Sequence, residues 1–187
     1  MSKQSFENQE LIKNSNTIFL VGFMGSGKTT LGKSLAEVLN YEFTDSDSYI
    51  EEKTKMSISS IFDLKGEDYF RSLEYEFIKR LNVDKPTVIS TGGGLPCFND
   101  LIEKMKQIGI VFYLKTSEYN ILERLSLDQT RPLLKDLSES ERKFFISNKL
   151  KEREIYYNKA NFIIDANQSI NDQIVSISYC LTGNHSV

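Results

Sequence analysis

Gly22-Phe23-Met24-Gly25-Ser26-Gly27-Lys28-Thr29 places two glycines, a lysine and a threonine at the G-x-x-x-x-G-K-[ST] spacing of a phosphate loop. The chemistry needs those residue types. Glycines let successive backbone N–H groups turn toward a β-phosphate, Lys28 brings a point charge to the β and γ oxygens, and Thr29 offers a hydroxyl to Mg²⁺. Gly25, Ser26, Gly27, Lys28, Thr29 and Thr30 are thus the expected contacts of a nucleoside triphosphate. The other reading is a glycine-rich turn that binds nothing. An apolar strand-like run before the loop and a helical pattern after it weigh against that reading.

Three more clusters carry chemistry. In Phe43-Thr44-Asp45-Ser46-Asp47 the two carboxylates are an i, i+2 pair, which extended chain points to one side. One suits a water on Mg²⁺ and the other a hydrogen bond from an acceptor hydroxyl, lining it up for in-line attack. Capping of the next helix is the competing use of either aspartate. Ser90-Thr91-Gly92-Gly93-Gly94 closes a strand where most P-loop proteins carry a Mg²⁺-associated aspartate. Three glycines there mean that the backbone comes very close to something, either a ligand met by free N–H groups or simply a tight turn. Arg71, Arg124, Arg131 and Arg153 sit in contexts that differ from an ordinary solvated helix face. Arg131 precedes Pro132-Leu133-Leu134 in an insert suited to act as a lid that covers a γ-phosphate and excludes water. Surface exposure is the ordinary alternative for any one of them.

These clusters need a scaffold, and the hydropathy pattern supplies one. Short apolar runs at 17–21, 41–45, 87–90, 109–114 and 161–165 alternate with helical periods, which predicts β-α units and a parallel sheet covered on both faces. Leu31, Leu35, Val38 and Leu39 form an apolar stripe on the first helix, and Ile170, Ile174, Ile177 and Leu181 form one on the last, behind a Ser169 cap with Asp172 three residues on. A Ser138 to Glu141 capping box opens another helix. Residues 1–15 and 182–187 are polar and without period, so both ends are expected to be mobile tails.

Composition removes several classes of function. The 187 residues, 40% hydrophobic and 26% charged, suit one globular domain. No apolar stretch approaches the roughly 20 residues that span a bilayer, and there is no signal-peptide pattern, so a cytoplasmic protein without membrane association is expected. A net charge of −3 argues against general nucleic-acid binding. The single histidine, His185, lies in the C-terminal tail, so histidine-based nucleophile schemes have no place here. Cys97 and Cys180 lack metal-ligand spacing and read as reduced, partly buried thiols.

Jointly these motifs resemble the shikimate kinase family from about residue 17 to the last helix. The resemblance rests on residues 22–29, Phe43 to Glu51, Ile58 to Phe62 with Gly66-Glu67 and Phe70-Arg71, Gly92-Gly93-Gly94, and Thr130-Arg131-Pro132-Leu133-Leu134. It implies an α/β three-layer fold like that of nucleoside-monophosphate kinases, with a five-stranded parallel sheet. A flexible extension over 1–15 would precede a kinase domain over 16–182, with the P-loop at 22–29, a substrate subdomain at about 46–75 and a lid at about 126–138. The implied reaction is ATP-dependent phosphorylation of the 3-hydroxyl of shikimate on the route to chorismate, by a monomer using Mg²⁺.

Carried over residue by residue, the resemblance makes Lys28, Asp47 and Arg131 catalytic. Asp47, Arg71, Arg153, Gly93 and Gly94 would bind shikimate between the walls Phe62 and Phe70. Asp45 would reach Mg²⁺ through water beside Thr29. Arg131 would lie on the phosphates, Arg124 on adenine through its guanidinium plane, and Asn167 at the adenine edge. A gluconate kinase on the same fold and a non-catalytic nucleotide-binding regulator are the rival readings. No adenylate-kinase-like Asp-Gly-Phe-Pro-Arg segment is present.

Overall fold

The computed structural model describes residues 16–81, 84–126 and 138–182. Strands β1 (Thr17–Val21), β2 (Glu42–Asp45), β3 (Thr87–Ser90), β4 (Ile110–Lys115) and β5 (Phe162–Asp165) make one sheet in the order β2-β3-β1-β4-β5. Every pairing is parallel. All five expected strands are found within a residue of their expected bounds. The helices are α1 (Lys28–Leu39), α2 (Ser46–Thr54), α3 (Ile58–Lys65), α4 (Glu67–Lys79), α5 (Leu101–Ile108), α6 (Glu118–Ser126), α7 (Glu139–Tyr157) and α8 (Ile170–Thr182).

Period-2 geometry sorts the central strands between two cores. Ile18, Leu20, Ile110, Phe112 and Leu114 face α1 and α8, where Leu31, Leu35, Ile174 and Ile177 meet them. Phe19, Val21, Val111 and Tyr113 face the other way, against Phe77, Leu101, Met105, Ile146 and Tyr157. Such strands are buried on both sides, as parallel sheets require. A satellite core of Ile50, Ile61 and Phe70 ties α2, α3 and α4 together beside the sheet.

One expected stripe is corrected. Val38 is 62% exposed, and Gly32 and Ala36 are buried instead. The buried face of α1 is centred between Leu35 and Leu39 and includes Gly32, a quarter turn away from Val38. Gly32 sits there because a Cβ would stand 2.6 Å from the Phe43 ring, so β2 packs directly on the α1 backbone. On α8 the stripe is buried at Ile174 and Ile177, while Ile170 at the helix start is 37% exposed. The Ser169 cap and the Ser138 capping box both form. The expected tails, His185, and all of the expected lid except its two end positions, with Arg131, lie outside the described residues.

Strand order reverses at β1, since β3 lies on one side of it and β4 on the other. Open parallel sheets bind ligands at the carboxyl ends of their strands beside such a reversal. The phosphate loop, the Asp45 to Asp47 segment and the three glycines all leave the sheet at that end.

Candidate active site

Gly27 caps α1 with φ of 89°, and Gly25 also has positive φ, so the loop wraps around the helix N-terminus in a conformation that favours glycine. The Lys28 side chain is nearly buried and folds back across the loop, with Nζ donating to the Phe23 carbonyl at 2.9 Å and to Ser26 Oγ at 3.4 Å. It is therefore held directly over the cradle. Thr30 is exposed in the first turn of α1.

Asp45 takes the capping use weighed for it and also meets Thr29. Its Oδ1 accepts from the backbone N–H groups of Asp47 and Ser48 and caps α2, while its Oδ2 accepts from the Thr29 hydroxyl at 2.8 Å. Ser90 ends β3 where the missing aspartate would stand, with Oγ 3.4 Å from Thr29 Oγ1. A hydroxyl and a carboxylate oxygen, open to solvent at the end of the phosphate loop, are the hard donors that Mg²⁺ takes beside nucleotide phosphates and waters. Among the described residues no cluster of three or more His, Cys, Asp or Glu side chains forms a dedicated metal cage. A P-loop cation that keeps most of its water needs none.

The glycine turn comes very close to its neighbours, as three glycines imply. A Cβ on Gly92 would lie 2.5 Å from Asp47 Oδ1, and one on Gly94 would lie 2.5 Å from Arg71 Nη1. The Gly92 N–H donates to Ser46 Oγ at 2.8 Å, and the Gly92 and Gly94 carbonyls accept from Leu95 and Cys97. The 3₁₀ turn Leu95–Cys97 explains the Leu-Pro-Cys sequence, because Leu95 is fully buried and Pro96 occupies a position that needs no N–H. The amides of Gly93 and Gly94 donate to nothing among the described residues.

Arg71 is clamped between carboxylates one helical turn away on either side. Its Nη1 meets Glu74 Oε2 at 2.6 Å, and its Nη2 meets Glu67 Oε1 at 2.8 Å. Burial alone would lower its pKa, but the charges and hydrogen bonds of Glu74 and Glu67 more than reverse that. Glu74 is fully buried, and its Oε1 has no hydrogen-bond partner among the described residues. Burial, opposed by Arg71 and Arg153 and reinforced by Asp47, lifts its pKa from 4.5 to about 7.

A carboxyl whose pKa is raised on folding favours its protonated form, so its contribution is complete below pH 4.5 and is lost as pH rises toward 7. Urea unfolding from pH 4.5 to 8 should show the wild type losing stability relative to Glu74→Gln across that window, by roughly 3 kcal/mol. Parallel curves for the two proteins would place the titration elsewhere.

Arg153 projects from α7 over the Phe23 ring, 5.6 Å from its centroid, and a Gly93 Cβ would be 3.4 Å from its guanidinium. Arg71, Gly94 and Arg153 line one pocket of about 260 Å³ with Glu67, Cys97 and Lys149. Burial pushes the Cys97 thiol up to about 11, so it stays protonated at neutral pH. Phe62 and Phe70 stack on each other at 4.9 Å in the satellite core, and neither Phe nor Asp47 lines that pocket. Phe70 reaches the site through Arg71, whose guanidinium lies 5.5 Å from its ring centre.

On the other side of the loop, Arg124 donates to the carbonyls of Gly25 and Ala166, bridging the phosphate loop to the end of β5. Asn167 Oδ1 accepts from Ser117 N and Asn120 Nδ2 and joins that end to the start of α6. Ser46, Glu74, Ser90 and Asn120 were not foreseen from the sequence. The one signal for Glu74 was its i+3 spacing from Arg71.

A triphosphate cradle at the reversal of a parallel sheet, opening beside a compartment that combines cations, carboxylates and free amides, defines a P-loop kinase for a small acidic, hydroxylated acceptor. The family model described as Shikimate kinase matches residues 24–179. Shikimate kinases from Sulfurihydrogenibium sp. and Azobacteroides pseudotrichonymphae are 46% and 44% identical over 84% and 78% of this chain, and over 92% and 87% of their own lengths. The solved shikimate kinase of Acinetobacter baumannii, in complex with shikimate, superposes with a TM-score of 0.83 at 38% identity, covering 96% of this chain and 99% of that one. A gluconokinase from Sinorhizobium meliloti shares only the fold, at 19% identity and a TM-score of 0.59 over 89% of this chain. The chain belongs to the shikimate kinase family.

Proposed function

We infer that this chain transfers the γ-phosphoryl group of ATP to the 3-hydroxyl of shikimate, giving shikimate 3-phosphate and ADP. The observation that carries the reading is the grouping of Asp47, Arg71, Arg153 and the Gly92–Gly94 turn beside the phosphate loop. Shikimate offers one carboxylate and three ring hydroxyls. Arginine forks suit the carboxylate, and an aspartate with free amides suits the hydroxyls.

In this reading Gly25, Ser26, Gly27 and Thr30 face the phosphates, and Lys28 turns from Phe23 to the β and γ oxygens. Asp47 accepts the proton of the attacking hydroxyl, Gly93 and Gly94 donate to the acceptor, and Arg71 and Arg153 hold its carboxylate. Phe62 and Phe70 back the compartment from the satellite core. Arg124 supports adenine across the Gly25 to Ala166 bridge, with Asn167 fixing the neighbouring loop. Arg131, from the lid at about 126–138, adds charge at the γ-phosphate. Thr29 and, through water, Asp45 would hold Mg²⁺, which neutralises phosphate charge as the phosphoryl group moves. Residues 46–75 form the substrate subdomain of a domain over 16–182, with 1–15 as an extension.

Among the described residues no helix is long and apolar enough to cross a membrane. Two unpaired thiols suit the reducing cytoplasm, and a site assembled within one chain suits a monomer. The test is ADP release from MgATP with shikimate, gluconate, AMP or no acceptor. Stimulation by shikimate alone is expected. Stimulation by gluconate instead would overturn the acceptor assignment, and stimulation by none would favour a nucleotide-binding regulator.

A further inference from the structure

Tyr157 ends α7 with its ring wholly buried, 5.1 Å from the Tyr113 ring, in the core beneath the glycine turn. A buried phenol needs a partner for its hydroxyl. This one donates to the Gly93 carbonyl at 2.6 Å, across 64 residues of sequence. Arg153 lies one helical turn earlier on α7, and the Cys97 thiol meets the same Gly93 carbonyl at 4.0 Å.

The position of that bond matters because a peptide unit is planar. The Gly93 carbonyl and the Gly94 N–H belong to one trans plane and point in opposite directions, so fixing the oxygen fixes the amide. Glycines on both sides leave the chain few steric reasons to hold that plane, since glycine accepts most backbone angles. The preceding planes have their own anchors. Leu95 N–H holds the Gly92 carbonyl and so the Gly93 amide, and Ser46 Oγ holds the Gly92 amide. For the Gly94 amide the short anchor is the Tyr157 hydroxyl on the Gly93 carbonyl at 2.6 Å, which the Cys97 thiol supplements only at 4.0 Å.

We propose that Tyr157 is a positioning residue, whose hydroxyl locks the Gly93–Gly94 peptide so that the Gly94 N–H faces the acceptor compartment and keeps it in register with Arg153. This rests on the reading that Gly94 donates to the acceptor. Without the hydroxyl only the long Cys97 contact remains on that carbonyl, and a flip of the peptide takes away the N–H that the acceptor would receive.

Tyr157→Phe keeps the ring and removes only the hydroxyl. It should raise the shikimate KM by about ten-fold while the ATP KM stays within about two-fold, the size expected for losing one buried hydrogen-bonded anchor. Tyr113→Phe removes a hydroxyl from the same ring stack without touching the glycine turn, and should leave both constants unchanged. In ¹⁵N-glycine-labelled protein the Gly94 amide should give one sharp resonance that moves on addition of shikimate, and it should broaden or double in Tyr157→Phe.

Equal KM values for wild type and Tyr157→Phe, or equal shifts in the two Phe variants, would overturn the proposal. So would a Gly94 amide that already exchanges between two states in the wild type, a reading that does not depend on recovering the variant. A wild type that fails to phosphorylate shikimate at all would instead remove the functional reading on which the proposal rests.

Discussion

Asp47→Asn should lower kcat for shikimate phosphorylation by about 10²- to 10⁴-fold, the range over which a positioned general base contributes. The substitution preserves shape, so the interlock with Gly92, whose Cβ would meet Asp47 Oδ1 at 2.5 Å, survives. What disappears is the capacity to take the hydroxyl proton as the phosphoryl group moves. In the proposed reading ATP is held separately, by Lys28, Thr29 and the loop backbone, so ATP affinity should stay within about two-fold of wild type. Steady-state kinetics with a separate ATP-binding titration distinguishes the two effects. Wild-type turnover in the variant would show that Asp47 serves only the packing of α2 against the glycine turn.

Arg71→Ala should weaken shikimate binding by about 10- to 150-fold, the loss of one charge-assisted contact worth roughly 1.5 to 3 kcal/mol. A second consequence follows from Glu74, whose only hydrogen-bond partner among the described residues is Arg71. Without that cation the buried carboxyl holds its proton more tightly, because Arg71 is the largest influence keeping its pKa down. The variant should therefore be close to wild-type stability at pH 5 and lose more than wild type as the pH rises past 7. Arg71→Lys should restore only part of the binding, since an ammonium cannot reach Glu67, Glu74 and a substrate carboxylate with one planar fork. Unchanged shikimate affinity in Arg71→Ala, measured by calorimetry, would remove Arg71 from the acceptor site.

The motifs visible in the chain share one property, which is that each is governed by local rules. The phosphate loop is written in glycines that take positive φ, the strands in period-2 apolar runs, and the helix starts in Ser169 and Ser138 with their acidic partners three residues on. Those signals placed all five strands within a residue. They misread Val38, because the direction of a helix face depends on what packs against it, and Phe43 over Gly32 turned the buried face of α1 away from that side chain.

The amino-acid sequence by itself determined a phosphate loop, a parallel α/β architecture, the candidate residues of an acceptor site and a family resemblance. Only the tertiary structure decided that Asp45 both caps α2 and holds Thr29, that Ser90 fills the place of the missing aspartate, that Glu74 is buried with a shifted pKa, and that Tyr157 grips Gly93. The physical reason is the range of the interactions. Turns and periodicity act over a few residues, whereas these contacts join segments brought together by the strand order β2-β3-β1-β4-β5, and burial, which sets the state of Glu74, exists only once the layers have closed.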